Sequence, residues 1–163
     1  MKLVQVAKTT VTTGDSTIAI NGIDSDDVYL LVGTNIISTQ SNCELFIRVN
    51  ASSSAQTTSN YDYGNRVMSS SSMNNRNAQN QTKGYVVDNV NTYGMNFSAF
   101  LYNFNNASEY SYIEHESVAD VSNQKLGNFG GTVFTVAAAH NGVTIHGHAG
   151  TFNSGNLYLY KVI

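Results

Sequence analysis

Apolar residues in this chain recur at every second position, and no other feature limits its fold as strongly. In CELFIRV (43–49), Cys43, Leu45, Ile47 and Val49 share one side of an extended backbone. A strand turns successive side chains to opposite faces, so period two marks a strand with one buried face. The same reading covers KLVQVA (2–7), TIAINGI (17–23), VYLLVGT (28–34), GYVV (84–87), MNFSAFLYNF (95–104), YSYIEHESV (110–118), GTVFTVAAA (131–139), GVTIHGH (142–148) and LYLYKV (157–162). These segments are rich in Val, Ile, Tyr, Phe and Thr, which suit a pleated, half-buried surface. TTGDST, DSDD, NN, GNFGG, HNG and NSGN separate them and carry turn chemistry. His140-Asn141-Gly142 predicts a hairpin, because Asn-Gly takes positive φ at both centres of a type I′ turn. No window carries a helical period; VAAAH is short and bounded by β-branched residues. The pattern predicts an all-β, antiparallel jelly-roll or β-sandwich of about eight to ten strands. One domain spanning 1–163 suits this length.

Two strands are apolar on both sides. In MNFSAFLYNF, Met95, Phe97, Ala99 and Leu101 point one way, and Phe100, Tyr102 and Phe104 the other. In the last strand Leu157 and Leu159 oppose Tyr158 and Tyr160. Each sheet of a sandwich has only one inner face. A second cover is therefore expected over Phe100, Tyr102, Phe104, Tyr158 and Tyr160, from a neighbouring subunit or from a loop of this chain. The loop expected is 68–83, MSSSSMNNRNAQNQTK, which lacks periodicity and reads as a flexible surface excursion. Loops this long are often functional, so Tyr61, Tyr63, Arg66, Asn74, Asn75 and Arg76 are expected to form an outward contact surface.

Polarity here comes from uncharged groups. Asn, Ser and Thr make up a third of the residues, whereas charged residues are only 12%, about half the usual share. A net charge of −3 with eight unclustered Lys and Arg argues against nucleic acid and anionic membranes as partners. The start, MKLVQVAKTT, has no apolar core of signal-peptide length. Cys43 stands alone in a strand pattern and reads as a small buried hydrophobe.

Catalytic motifs are sparse. Glu114 and Glu116 flank His115 on one strand, so their carboxylates share a face that reads as solvated. His146 and His148 share a strand face and supply two metal ligands. A tetrahedral site needs more, with His140, His115 or a symmetry mate as the source, so solvent-facing, metal-free histidines are expected. Asp24, Asp26 and Asp27 lack the alternating spacing of a dedicated calcium loop. Neither a G-x-S-x-G elbow nor a phosphate-binding glycine loop opening a helix is present.

Four segments recur in a telling order. They are a Tyr-Leu-x-Val strand (Tyr29, Leu30, Val32) and an apolar strand ending in Asn (Leu45, Ile47, Val49, Asn50). A Ser/Thr loop closing on Ser59, Asn60 and Tyr61 follows, and a final Phe-x-x-Gly-x-Leu-x-Leu-Tyr (Phe152, Gly155, Leu157, Leu159, Tyr160). In this the chain resembles the jelly-roll virion proteins of tailed bacteriophages, common in marine phages and described as head-decoration or tail-fibre and appendage proteins. It departs from them at Gly22-Ile23-Asp24, where they often have Gly-Ile-Pro, and in ending Lys-Val-Ile rather than Tyr-Gly-Ile. The resemblance implies a non-enzymatic virion protein made in the host cytoplasm, without cofactor. It also implies a homo-oligomer, a trimer or hexamer, that meets major capsid or tail proteins and adheres to host surface polysaccharide. The alternative is a stand-alone carbohydrate-binding module or lectin.

Overall fold

The computed structural model describes residues 2–90, 93–121 and 124–163. Thirteen strands follow one another: β1 (Leu3–Thr10), β2 (Thr17–Asn21), β3 (Tyr29–Ser38), β4 (Cys43–Ala51), β5 (Ser54–Ala55), β6 (Tyr61–Met68), β7 (Met73–Gln81), β8 (Gly84–Val90), β9 (Met95–Tyr102), β10 (Ser111–Val121), β11 (Gln124–Phe134), β12 (Gly142–Gly147) and β13 (Phe152–Val162). No helix occurs among the described residues. An eight-stranded sheet runs β1-β13-β3-β9-β10-β11-β6-β7, and a smaller one runs β2-β12-β4-β5, with β8 also paired to β4. Every pairing is antiparallel. Early strands pair with late ones, β1 and β3 with β13 and β2 and β4 with β12. This is the rolled-up connectivity of a sandwich.

The core lies between the sheets. The large sheet contributes Tyr29, Leu31, Phe97, Leu101, Ile113, Leu157 and Leu159, and the small sheet Ile18, Ile20, Leu45, Ile47, Val49, Val143 and Ile145. Each set is one face of the alternation read from the sequence. The closing segment is an interior strand: β13 pairs with β1 on one side and β3 on the other, and Leu157 and Leu159 are fully buried. Cys43 is buried, its Sγ 3.3 Å from the Ala149 carbonyl.

Three expectations are corrected. Residues 68–83 are no flexible loop: β6 and β7 form a hairpin along the edge of the large sheet. Its turn is Ser69–Ser72, where the Ser69 N–H donates to the Ser72 carbonyl at 2.9 Å and the Ser69 Oγ accepts from the Ser72 N–H. An edge strand washed on both faces needs no apolar alternation, so Asn and Gln fill it without a periodic signal. The Asn141-Gly142 hairpin is absent as well. β11 stops at Phe134, and the chain then crosses to the other sheet. Glycine is needed at 142 for close approach: a Cβ there would lie 2.3 Å from the Ile20 carbonyl oxygen. Lastly, Phe104 is not on the outer face. Asn103 takes a φ of 58°, which ends the strand alternation, and Phe104 is buried beside the His140 ring.

Candidate functional site

The broadest exposed feature is the outer face of the large sheet. Strand register sets its side chains in rows. One runs Gln5–Tyr160–Leu30–Phe100–Glu114–Gly131–Gly64–Asn77. A second runs Lys8–Tyr158–Val32–Ser98–Glu116–Phe129–Arg66–Asn75. A third joins Tyr102, Tyr112, Val133 and Asp62. The face therefore has two halves. Over β13, β3 and β9 it is apolar, with Leu30, Val32, Phe100, Tyr102, Tyr158 and Tyr160 half-buried against one another. Phe100 and Tyr102 sit 6.2 Å apart, and Tyr158 and Tyr160 stack at 6.4 Å. No segment of the hairpin covers this half, because β7 lies at the opposite edge. Four of the five residues expected at an interface thus share it.

Over β10, β11, β6 and β7 the face turns polar and indented. Glu114 and Glu116 point to solvent, as their alternation predicts, while His115 between them is buried. The Tyr102 hydroxyl donates to Glu114 Oε2 at 3.2 Å, and burial followed by the Glu114 charge raises the Tyr102 pKa. Gly131 and Gly64 are paired neighbours and leave a gap two strands wide in the row between Glu114 and Asn77. The depression above them measures about 740 Å³ and is lined by Asp62, Asn77, Gln79, Tyr112, Glu114 and Val133 among others.

The contact surface expected around residues 61–76 is divided by the fold. Tyr61 is buried in the core, its hydroxyl donating to the Gln56 carbonyl at 2.9 Å and accepting from the Val49 N–H at 3.0 Å. Tyr63 faces inward, its ring 5.7 Å from that of Tyr85. Asn74, Asn75 and Arg66 are exposed. Arg76 clamps the sheets together: its guanidinium reaches Glu44 at 3.1 Å and Asp88 at 3.0 Å, both on the small sheet, and lies over the Tyr85 ring.

The histidines are scattered. His146 is buried rather than solvent-facing, packed at 5.6 Å on Phe46. Burial, with the charges of Arg48 and Lys83 adding to it, lowers its pKa to about 4. His148 lies beyond the strand end and accepts the Glu44 N–H through Nδ1 at 3.2 Å. His140 Nδ1 is 2.9 Å from Ser111 Oγ within the core. Among the described residues no three His, Cys, Asp or Glu side chains stand together as a metal site. Around Asp24–Asp27 a protein cation is already present. Lys161 reaches Asp27 at 2.6 Å and Ser25 at 2.7 Å, while the Tyr29 hydroxyl donates to Asp24 at 2.8 Å. The Tyr29 hydrogen bond holds the Asp24 pKa below its ordinary value, and Lys161 does the same for Asp27.

Sequence reasoning missed Tyr112, Phe129 and the Gly64–Gly131 gap. Both rings are far more exposed than their strand neighbours, at 44% and 45%. Comparison with models of known families, with curated proteins and with solved structures returned no match.

Proposed function

We propose that this chain is a non-enzymatic structural protein that associates with copies of itself through the apolar half of its large sheet. Decoration or appendage proteins of phage virions, which the sequence resembles, would assemble in this way, against one another and against capsid or tail. One observation carries the reading: within its row Lys8 and Glu116 stand two strands to either side of Val32, a cation and a carboxylate flanking Tyr158, Val32 and Ser98. A two-fold axis along the strands over β3 sets Lys8 of one copy against Glu116 of the other, with Val32, Leu30 and the four aromatic rings interleaved at the centre. Five strands at about 4.8 Å and eight residues at about 3.3 Å span about 24 by 26 Å. That approaches the ~800 Å² per partner of a standard interface. Two-fold pairs are also units from which a hexamer is built.

The test is mass by native mass spectrometry and by sedimentation at micromolar concentration. The wild-type chain is expected to form an even-numbered assembly. Phe100→Glu, which sets an unpaired charge in the apolar centre, should give a folded monomer. A monomeric wild-type chain, or a Phe100→Glu variant of unchanged mass, overturns the proposal.

A further inference from the structure

We propose that the indented half of the large sheet is a binding site for a neutral oligosaccharide, seated on the backbone floor of Gly64 and Gly131. This site lies beside the self-association centre and meets that interface only at the β10 carboxylates, Glu114 and Glu116. Its shape comes from two missing side chains. A Cβ added at Gly64 would meet nothing within 4 Å, so the space above that residue is open. Gly131 is its cross-strand partner, and together they expose backbone where the neighbouring rows stand up as walls. Tyr112, Val133 and Asp62 form one wall, and Phe129 and Arg66 the other. Two smaller depressions, of about 330 and 300 Å³, lie on the Phe129 side and share Gly64, Asn77, Gly131 and Glu114 with the larger one. The three form one trough across four strands.

The chemistry of the lining selects the ligand. Tyr112 and Phe129 are exposed aromatic side chains. Tyr112 on β10 pairs with Val133, four residues from Phe129 along β11, so the two lie about 14 Å apart, one on each wall. Rings on facing walls at that spacing leave room between them for a chain of sugar units laid along the glycine floor. Carboxylates at Asp62 and Glu114 accept hydrogen bonds only, whereas the amides of Asn77 and Gln79 both donate and accept. Vicinal hydroxyls, each donor and acceptor at once, complement that mixture. Nucleic acid and acidic sugars are disfavoured, because Asp62, Glu114 and Glu116 set negative charge along the trough, and of the two arginines that line it Arg76 is already paired with Glu44 and Asp88, which leaves Arg66 to oppose them. An apolar peptide would leave the carboxylates and amides desolvated without partners.

Gly64→Leu gives a clean test, because its Cβ enters open space and its side chain fills the trough. The probes are neutral hexasaccharides of glucose (β-1,4, α-1,4 and β-1,3 linked), mannose and xylose, with oligoalginate as the acidic contrast. The chain has no tryptophan, so tyrosine fluorescence and calorimetry report binding directly. At least one neutral hexasaccharide is expected to bind, with oligoalginate at least tenfold weaker. Gly64→Leu and Tyr112→Ala should each weaken that binding at least tenfold while the melting temperature of Gly64→Leu stays unchanged. If no neutral probe binds the wild-type chain at millimolar concentration, or if the two variants bind as wild type does, the proposal is overturned. Repeating the titration on Phe100→Glu separates the two proposals, since the trough uses none of the residues at the self-association centre.

Discussion

Lowering the pH from 7 to 4 should destabilise this protein through one buried histidine. His115 lies on the inner face of β10, 1% exposed, opposite Ala99 and Gly130, and among the described residues neither ring nitrogen has a hydrogen-bond partner. Burial alone lowers its pKa from the ordinary 6.5 to about 4. Between those values the unfolded chain binds a proton that the folded chain refuses, so acid favours unfolding. At pH 7 and above the effect is absent. It grows to about 2 kcal/mol at pH 5 and about 3 kcal/mol at pH 4, where the folded-state imidazole is half protonated. Replacing the ring by a hydrocarbon of similar volume removes the titration and leaves no polar atom behind. His115→Leu should therefore match wild-type stability at pH 7 to within about 1.5 kcal/mol. It should then become the more stable of the two, relative to that starting point, as the pH falls. Urea unfolding at pH 7, 5 and 4, monitored by far-UV circular dichroism, reads both curves, and other carboxylates and His146 contribute to each alike. If wild type and His115→Leu lose stability in parallel from pH 7 to pH 5, the reasoning fails.

The two phenylalanines near the end of β9 offer a further check. Phe104→Ala should cost about 3–5 kcal/mol because it empties core volume, whereas Phe100→Ala on the outer face should cost about 1 kcal/mol in the isolated chain; thermal or urea melts of both variants at a concentration below assembly decide this. Arg76→Met should cost no more than about 1 kcal/mol, since its ion pairs are partly exposed, yet it should speed amide hydrogen exchange along β7 while leaving β9 and β13 unchanged.

Strands with one apolar series announce themselves, and β3, β4, β9, β12 and β13 were legible because Leu, Ile, Val and aromatic residues alternate along them, even in β12, where the polar series is buried as well. The edge strand β7 was illegible, since nothing in MNNRNAQNQ is buried and it is held extended by the ladder to β6 and the Arg76 ion pairs rather than by apolar packing. β6 hides for another reason: its inward series Tyr61, Tyr63, Asn65, Val67 carries a buried Asn where the pattern expects an apolar group. In β11 the glycines of GNFGG resemble a turn, yet they lie within a strand. Half of the outer face could be read, because Phe100, Tyr102, Tyr158 and Tyr160 sit on two strands whose double-sided apolarity is local. The trough could not. Gly64 and Gly131 are 67 positions apart in the chain and become neighbours only through the register of β6 on β11.

The place of β13 between β1 and β3 has a consequence for how the molecule comes into being. β1 and β3 both wait for residues 152–162 before their ladders to β13 can form. β2 and β4 wait in the same way for β12. The β1–β13–β3 edge of the large sheet and the β2–β12–β4 ladders therefore close last, after β3, β9, β10, β11, β6 and β7 can already have paired, and so non-local a topology folds in the slow regime of roughly milliseconds to seconds. Until then Leu31 lacks its cross-strand neighbour Leu159, and Ile47 lacks Ile145. In that interval the incomplete core exposes apolar surface, and this is the state most prone to association.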